Sequence, residues 1–262
     1  MPAPDPLPLL ILGGTAEAAA LAAAVPARFG GRVRVITSLA GRTRQPAPVP
    51  GELRVGGFGG ASGLAAYLAA ERIAVVIDAT HPFAAQISAQ AHEACAAVGV
   101  QRLLLHRPPW QRHARDRWIE VADTAAAAAA LPGLGRSVWI TIGARELDAF
   151  AVLSGYRFLV RLVEPPSKPL LLADCEVLLG RGPFSLEAER RIIARHGIGV
   201  LVAKAAGGAA TEAKLVAARE RGLPVVMVRR PPPPPGPRVD GVSAALDWLG
   251  TSLPGLRGET GP

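Results

Sequence analysis

Short unbroken apolar runs recur along this chain and alternate with longer Ala- and Leu-rich stretches, and no other feature restricts its fold more. A strand that is apolar at every position, not at every second one, has to be covered on both faces, which places it inside a parallel sheet with helices on either side. The sequence predicts strands at 8–12 (PLLIL), 32–36 (RVRVI), 73–78 (IAVVID) and 101–105 (QRLLL), with helices at 15–25, 61–72 and 84–98 between them. A second series predicts strands at 137–142 (SVWITI), 156–162 (YRFLVRL), 198–203 (IGVLVA) and 224–228 (PVVMV), with helices at 185–196, 210–221 and 243–249. Strand and helix taking turns in this way is the signature of an α/β architecture.

With 262 residues the chain has length for two modest units. The break between the two series falls in 106–136, a stretch with a Pro-Pro-Trp segment, several arginines and six alanines at 125–130 that read as a plain helix. The expectation is therefore two Rossmann-like doubly wound parallel-sheet domains, 1–118 and 119–250, with a ligand cleft between them. Residues 251–262 are expected to form a disordered tail. Pro231–Pro235 has the composition of a stiff polyproline II spacer before the last helix.

Composition narrows the function by exclusion. No apolar run approaches the roughly 18–20 residues that span a bilayer. The opening MPAPDPLPLLILGG lacks a basic n-region and ends its apolar run in a glycine turn, so it reads as a buried first strand rather than a leader. A cytoplasmic protein without membrane contact is expected, as a monomer or weak oligomer. The two cysteines, Cys95 and Cys175, and five scattered histidines offer no metal-ligand spacing, so no metal is expected. The formal charge is +8, and with only Lys168, Lys204 and Lys214 as lysines almost all positive charge is arginine. Arginine's planar fork suits carboxylates and phosphates. The basic residues are dispersed, without the aromatic-interleaved stripe of a nucleic-acid surface, so a small polyanion fits better than nucleic acid.

The candidate site residues lie where predicted strands end, the position at which α/β sheets hold ligands. Gly13-Gly14-Thr15 follows the first strand and opens the first helix; such glycines let the backbone approach a ligand, and the helix start offers N–H groups to an anion. The same residues also suit a ligand-free tight turn with Thr15 as its cap. After the second strand, Thr37-Ser38-Leu39-Ala40-Gly41-Arg42-Thr43-Arg44 has hydroxyls and arginines where an NAD site often carries an acid; if this loop meets the cofactor that favours a phosphate and hence NADP over NAD, and a solvated loop is the alternative reading. Asp78-Ala79-Thr80-His81-Pro82-Phe83 ends the third strand; Asp78 and Thr80 suit a turn and a cap, and His81 suits a proton donor or a substrate contact. In the second half stand Gly143, Arg161, Arg181 and Lys204 with Gly207 and Gly208. Arg161 sits within an apolar strand, where an unpaired charge is expensive, so it requires a buried carboxylate or a ligand.

Taken in order, ILGGTAEA (11–18), TSLAGRT (37–43), DATHPFAAQIS (78–88), RPPW (107–110), TIGARELDAF (141–150), RFLVRL (157–162), RGPFS (181–185) and the stretch 204–231 resemble the precorrin-6A reductase family of cobalamin biosynthesis. Where that family often reads Lys-Asn-Ser-Gly-Gly, this chain has Lys204-Ala205-Ala206-Gly207-Gly208, without the amide and the hydroxyl. The resemblance implies NADPH as cofactor and a small-molecule polyanionic tetrapyrrole as substrate, one of whose macrocycle double bonds is reduced. It implies cofactor contacts from Gly13, Gly14, Thr15, Ser38, Arg42, Gly143, Gly207 and Gly208. Substrate contacts would come from Thr80, Phe83, Arg161 and Arg181, with His81 and Lys204 in catalytic roles. Another NAD(P)-dependent reductase or a non-catalytic binder of nucleotides or anionic metabolites are the rival readings. A short-chain dehydrogenase would need Tyr-xxx-Lys, which neither Tyr67 nor Tyr156 provides.

Overall fold

The computed structural model describes residues 5–41 and 49–256. The chain forms two compact units, one built from residues 1–107 and 231–262 and the other from 108–230.

The first unit contains β1 (Leu7–Leu12), α1 (Ala16–Phe29), β2 (Val33–Leu39), β3 (Glu52–Val55), α2 (Gly60–Ala70), β4 (Val75–Asp78), α3 (Ala85–Val98) and β5 (Gln101–His106). The second holds β6 (Arg117–Val121), α4 (Thr124–Ala129), β7 (Ser137–Ile140), a 3-10 helix (Ala144–Phe150), β8 (Arg157–Leu162), β9 (Cys175–Leu179), α5 (Leu186–Arg195), β10 (Val200–Lys204), α6 (Ala213–Glu220) and β11 (Pro224–Val228). The chain then returns to the first unit as β12 (Arg238–Asp240) and α7 (Val242–Ser252).

Each unit is one six-stranded sheet, ordered β12-β5-β4-β1-β2-β3 and β6-β11-β10-β7-β8-β9, with every pairing parallel. In both the strand order reverses beside a central strand, the doubly wound pattern expected from the sequence. The cause of the unbroken apolar runs is visible in β1. Leu9 and Ile11 join α1 and α7 in one core, while Leu10 and Leu12 join α2 and α3 in the other. In the second unit Trp139, Leu159, Leu201 and Met227 pack against α5 and α6.

The structure departs from the sequence-based expectation in three places. Four strands, β3, β6, β9 and β12, were not predicted, and these are the four sheet edges. An edge strand buries little: Glu52–Val55 has two exposed residues before its first half-buried one, so no continuous apolar run marks it. The unit boundary lies at 107/108, not 118/119. The second unit closes at 230, because β12 pairs with β5 and carries α7 back to the first sheet. Pro231–Pro235 is thus the return connection between units, followed by a strand and not directly by the last helix. Part of the expected tail is ordered: α7 runs to Ser252 and a 3-10 turn follows at Pro254–Leu256, with Leu253 and Leu256 buried in the core of the first unit, while 257–262 lie outside the described residues.

Candidate functional site

In the first unit three strand ends meet. Gly13 donates its N–H to the Ser38 carbonyl (2.9 Å), and Ala79 donates to Leu12 (3.0 Å), which ties the ends of β2 and β4 to that of β1. Gly14 has φ +105°, a conformation that L side chains rarely adopt, and a Cβ there would meet nothing within 4 Å. Gly13 is glycine for a different reason, since its Cβ would crowd Thr37 at 3.1 Å and Leu39 at 3.2 Å. Thr15 caps α1, accepting from Ala18 N–H at 3.1 Å, and its hydroxyl donates to the Ala79 carbonyl at 2.7 Å. The first-turn N–H groups of a helix have no partner inside it and carry the positive end of its dipole. Glu17 would oppose an anion there, but Arg107 binds it at 2.5 Å. Burial pushes the Glu17 carboxyl up, but Arg107, its own backbone N–H and the Thr15 hydroxyl together hold it below its usual value.

Ser38 is buried in β2, and its visible role is the backbone contact with Gly13. Arg42, with Thr43 and Arg44, lies outside the described residues. At the end of β4, Asp78 is completely buried and its Oδ1 accepts from both the Thr80 N–H (3.2 Å) and the Thr80 hydroxyl (2.7 Å). This holds a tight turn that carries exposed His81 and half-buried Phe83. The Phe83 N–H donates to His81 Nδ1 at 3.2 Å, and the two rings lie 5.9 Å apart. So Gly13, Gly14, Thr15, Ser38, Thr80, His81 and Phe83 are brought to one end of the first sheet.

The second unit treats its expected residues unevenly. Lys204 ends β10 and donates to Glu146 at 2.5 Å. Arg161 is 8% exposed and binds Glu189 of α5 at 2.6 Å, with its guanidinium 3.8 Å from the Phe184 ring and 4.9 Å from Trp139. Of the two partners its burial demanded, the carboxylate is present. Lys214, beside this pair, is 5% exposed and its ammonium sits 5.5 Å from the Trp110 ring. Burial first, then the charge of Arg161, push its pKa down to about 7 against the pull of Glu189.

Gly207 (φ +68°) is buried, and a Cβ there would lie 2.1 Å from the Pro108 carbonyl. Its lack of a side chain serves packing against the chain itself. Gly208, with φ 80° and ψ 148°, accepts from Trp110 Nε1 at 2.8 Å. Gly143 has φ −70° and open space around it, so nothing local demands glycine there. Arg181 is exposed between β9 and α5.

Sequence reasoning passed over Arg102, Glu146, Glu189 and Lys214. Arg102 carried the same signal as Arg161, a charge within an apolar strand. The other three are ordinary helix or turn residues until the fold buries or pairs them. Among the described residues no group of three or more His, Cys, Asp or Glu side chains is placed to hold a metal, and no helix is long and apolar enough to cross a membrane.

Comparison with known proteins adds independent findings. The family model described as "Precorrin-6x reductase CbiJ/CobK" matches residues 8–250. A protein of Rhodococcus erythropolis named precorrin-6A reductase is 46% identical over 244 residues, covering 93% of this chain and 97% of its own. Its namesake in Rhodobacter capsulatus is 44% identical over 241 residues, covering 92% and 95%. A solved structure titled "CobK precorrin-6A reductase" superposes with a TM-score of 0.90 at 43% identity, covering 96% of this chain and 99% of that one.

Proposed function

This chain belongs to the precorrin-6x reductase CbiJ/CobK family, and we propose that it reduces one double bond in the macrocycle of precorrin-6A, or of its cobalt form, with NADPH as hydride donor. The observation that carries this reading is the two-way match to a precorrin-6A reductase, 93% of one chain against 97% of the other. Nothing the size of a domain distinguishes the two.

The turn at the start of α1 fits a dinucleotide on its own geometry. Open space over Gly14, at a φ that side chains avoid, lets a phosphate approach the backbone. The helix start supplies N–H groups and positive potential, and Arg107 has already neutralised the nearby Glu17. When bound, the reduced nicotinamide supplies a hydride, and the chain supplies orientation and electrostatics. We assign Gly13, Gly14 and Thr15 to the pyrophosphate, and Arg42 to the phosphate that distinguishes NADPH from NADH.

Reduction also requires a proton at the carbon next to the one receiving hydride. His81 is our first candidate to deliver it, because an imidazole changes protonation near neutral pH and this one stands exposed on a turn fixed by Asp78. Lys204, held by Glu146, is the second. Thr80, Phe83 and Arg181 are assigned to the substrate, Arg181 to one of its carboxylates.

The test is turnover. Purified protein with NADPH and precorrin-6A, in cobalt-free and cobalt forms, should lose absorbance at the nicotinamide band; binding of both ligands without oxidation of NADPH would favour a non-catalytic binder. Arg42→Ala with Arg44→Ala should weaken NADPH binding while sparing NADH, and equal losses for both would remove that loop from the cofactor site.

A further inference from the structure

Arg102 is the least expected side chain in the first sheet. It projects from the interior of β5, is 7% exposed, and faces Asp78, which is fully buried at the end of β4. Its Nη1 lies 3.8 Å from Asp78 Oδ2, and neither atom has a hydrogen-bond partner. Its Nη2 donates to the Pro235 carbonyl at 2.7 Å, and a Cβ at Gly236 would come within 3.3 Å of the same nitrogen. One guanidinium therefore grips both the end of β4 and the segment that brings the chain back to β12.

Such a pair is poor stabilisation. Two buried charges whose facing atoms make no hydrogen bond recover little of their desolvation cost, and apolar replacements of buried ion pairs are often neutral or stabilising. What the pair does achieve is directional. With Oδ2 turned toward Arg102, Asp78 presents Oδ1 to both the N–H and the hydroxyl of Thr80. Thr80 Oγ lies 3.2 Å from the hydroxyl of buried Ser88 in α3. Ala79, between them, is bound from both sides, donating to Leu12 and accepting from Thr15. The turn bearing His81 is thus set by Asp78, and the rotamer of Asp78 is set by Arg102.

We infer that Arg102 is a positioning residue for the His81 turn, acting through Asp78, and that it couples this turn to the Pro235–Gly236 return segment. The consequence for turnover rests on the reductase reading; the consequence for the turn does not, and two measurements separate them. The first is hydrogen exchange of peptides spanning 78–88. Arg102→Met should raise exchange at Thr80, Phe83 and Ala84 on the order of tenfold while the global unfolding midpoint stays well above the assay temperature.

The second is steady-state kinetics. Arg102→Met should lower kcat by about tenfold or more, as misplacement of a catalytic group by a fraction of an ångström does, and leave KM for NADPH within about twofold. Arg102→Lys keeps the charge but cannot hold two acceptors with a fork, so it should fall between. The double variant Asp78→Asn, Arg102→Met should be no slower than Asp78→Asn alone, since both act on one element. Should Arg102→Met not fold, Arg102→Lys and Asp78→Asn carry the same two readouts. Unchanged exchange in folded variants, or additive losses in the double variant, would overturn the inference. If the wild-type protein does not turn over, the exchange data alone decide it.

Discussion

Replacing Lys214 by Met isolates one buried charge whose cost to the fold depends on pH. Lys214 is 5% exposed in α6, and burial together with the charge of Arg161 lowers its pKa from 10.5 to about 7. In the unfolded chain the same amine keeps its proton to the ordinary value. Between pH 7 and 10.5 the unfolded state therefore binds one proton more than the folded state, and stability rises with pH by about 1.4 kcal/mol per unit from this group. The cost is complete below pH 7, fades as the pH climbs, and is gone above 10.5. Raising the pH from 7 to 9 recovers about 2 kcal/mol of it.

Methionine has a similar length and no charge, so Lys214→Met should be free of this slope. Urea unfolding can be followed by tryptophan fluorescence, because Trp110, Trp118 and Trp139, three of the four tryptophans, lie in the second unit. The difference in stability, variant minus wild type, should shrink by about 2 kcal/mol from pH 7 to pH 9 and level off below pH 6. A difference that does not change with pH, or that grows toward pH 9, would refute the assignment of Lys214 as a buried amine near neutrality.

Three further variants test the charges beside Lys214 and the turn at the start of α1. Glu189→Leu leaves Arg161 buried without its carboxylate and should cost about 3–5 kcal/mol in urea unfolding. Arg161→Met should cost less, because Lys214 can then take up a proton and face Glu189 in its place. Equal costs would show that the three charges are not coupled. Thr15→Val removes both the cap on Ala18 N–H and the bond to the Ala79 carbonyl, and should lower stability by about 1–2 kcal/mol. NADPH affinity measured by fluorescence titration should fall with it, and full retention of affinity would detach this turn from the cofactor.

The interior of the fold was legible in the sequence because of a single physical fact. A central strand in a doubly wound sheet is covered on both faces, so apart from its ends its residues are apolar, and β1, β4, β7, β10 and β11 announce themselves as apolar runs. The Gly13-Gly14-Thr15 turn was legible for a similarly local reason, since a left-handed backbone and a helix cap select residue types directly. The cost of burying Arg161 was also readable, since an arginine inside an apolar strand demands a counter-charge wherever it occurs.

The identity of that counter-charge was not readable. Glu189 stands 28 positions along on an amphipathic helix, where a glutamate is ordinarily solvated, and only the packing of α5 onto β8 buries it. The four edge strands escaped for the converse reason, being exposed and short, and their pairing is decided by the sheet they join. That β12 returns to the first unit depends on Leu104 N–H meeting the Pro237 carbonyl and Arg102 meeting Pro235, contacts more than a hundred residues apart. Gly207 shows the limit most sharply. Its sequence says only that space was needed, and the tertiary structure shows the space taken by the Pro108 carbonyl. Residue type reports what a position must tolerate locally; which atoms impose the demand is settled by the fold.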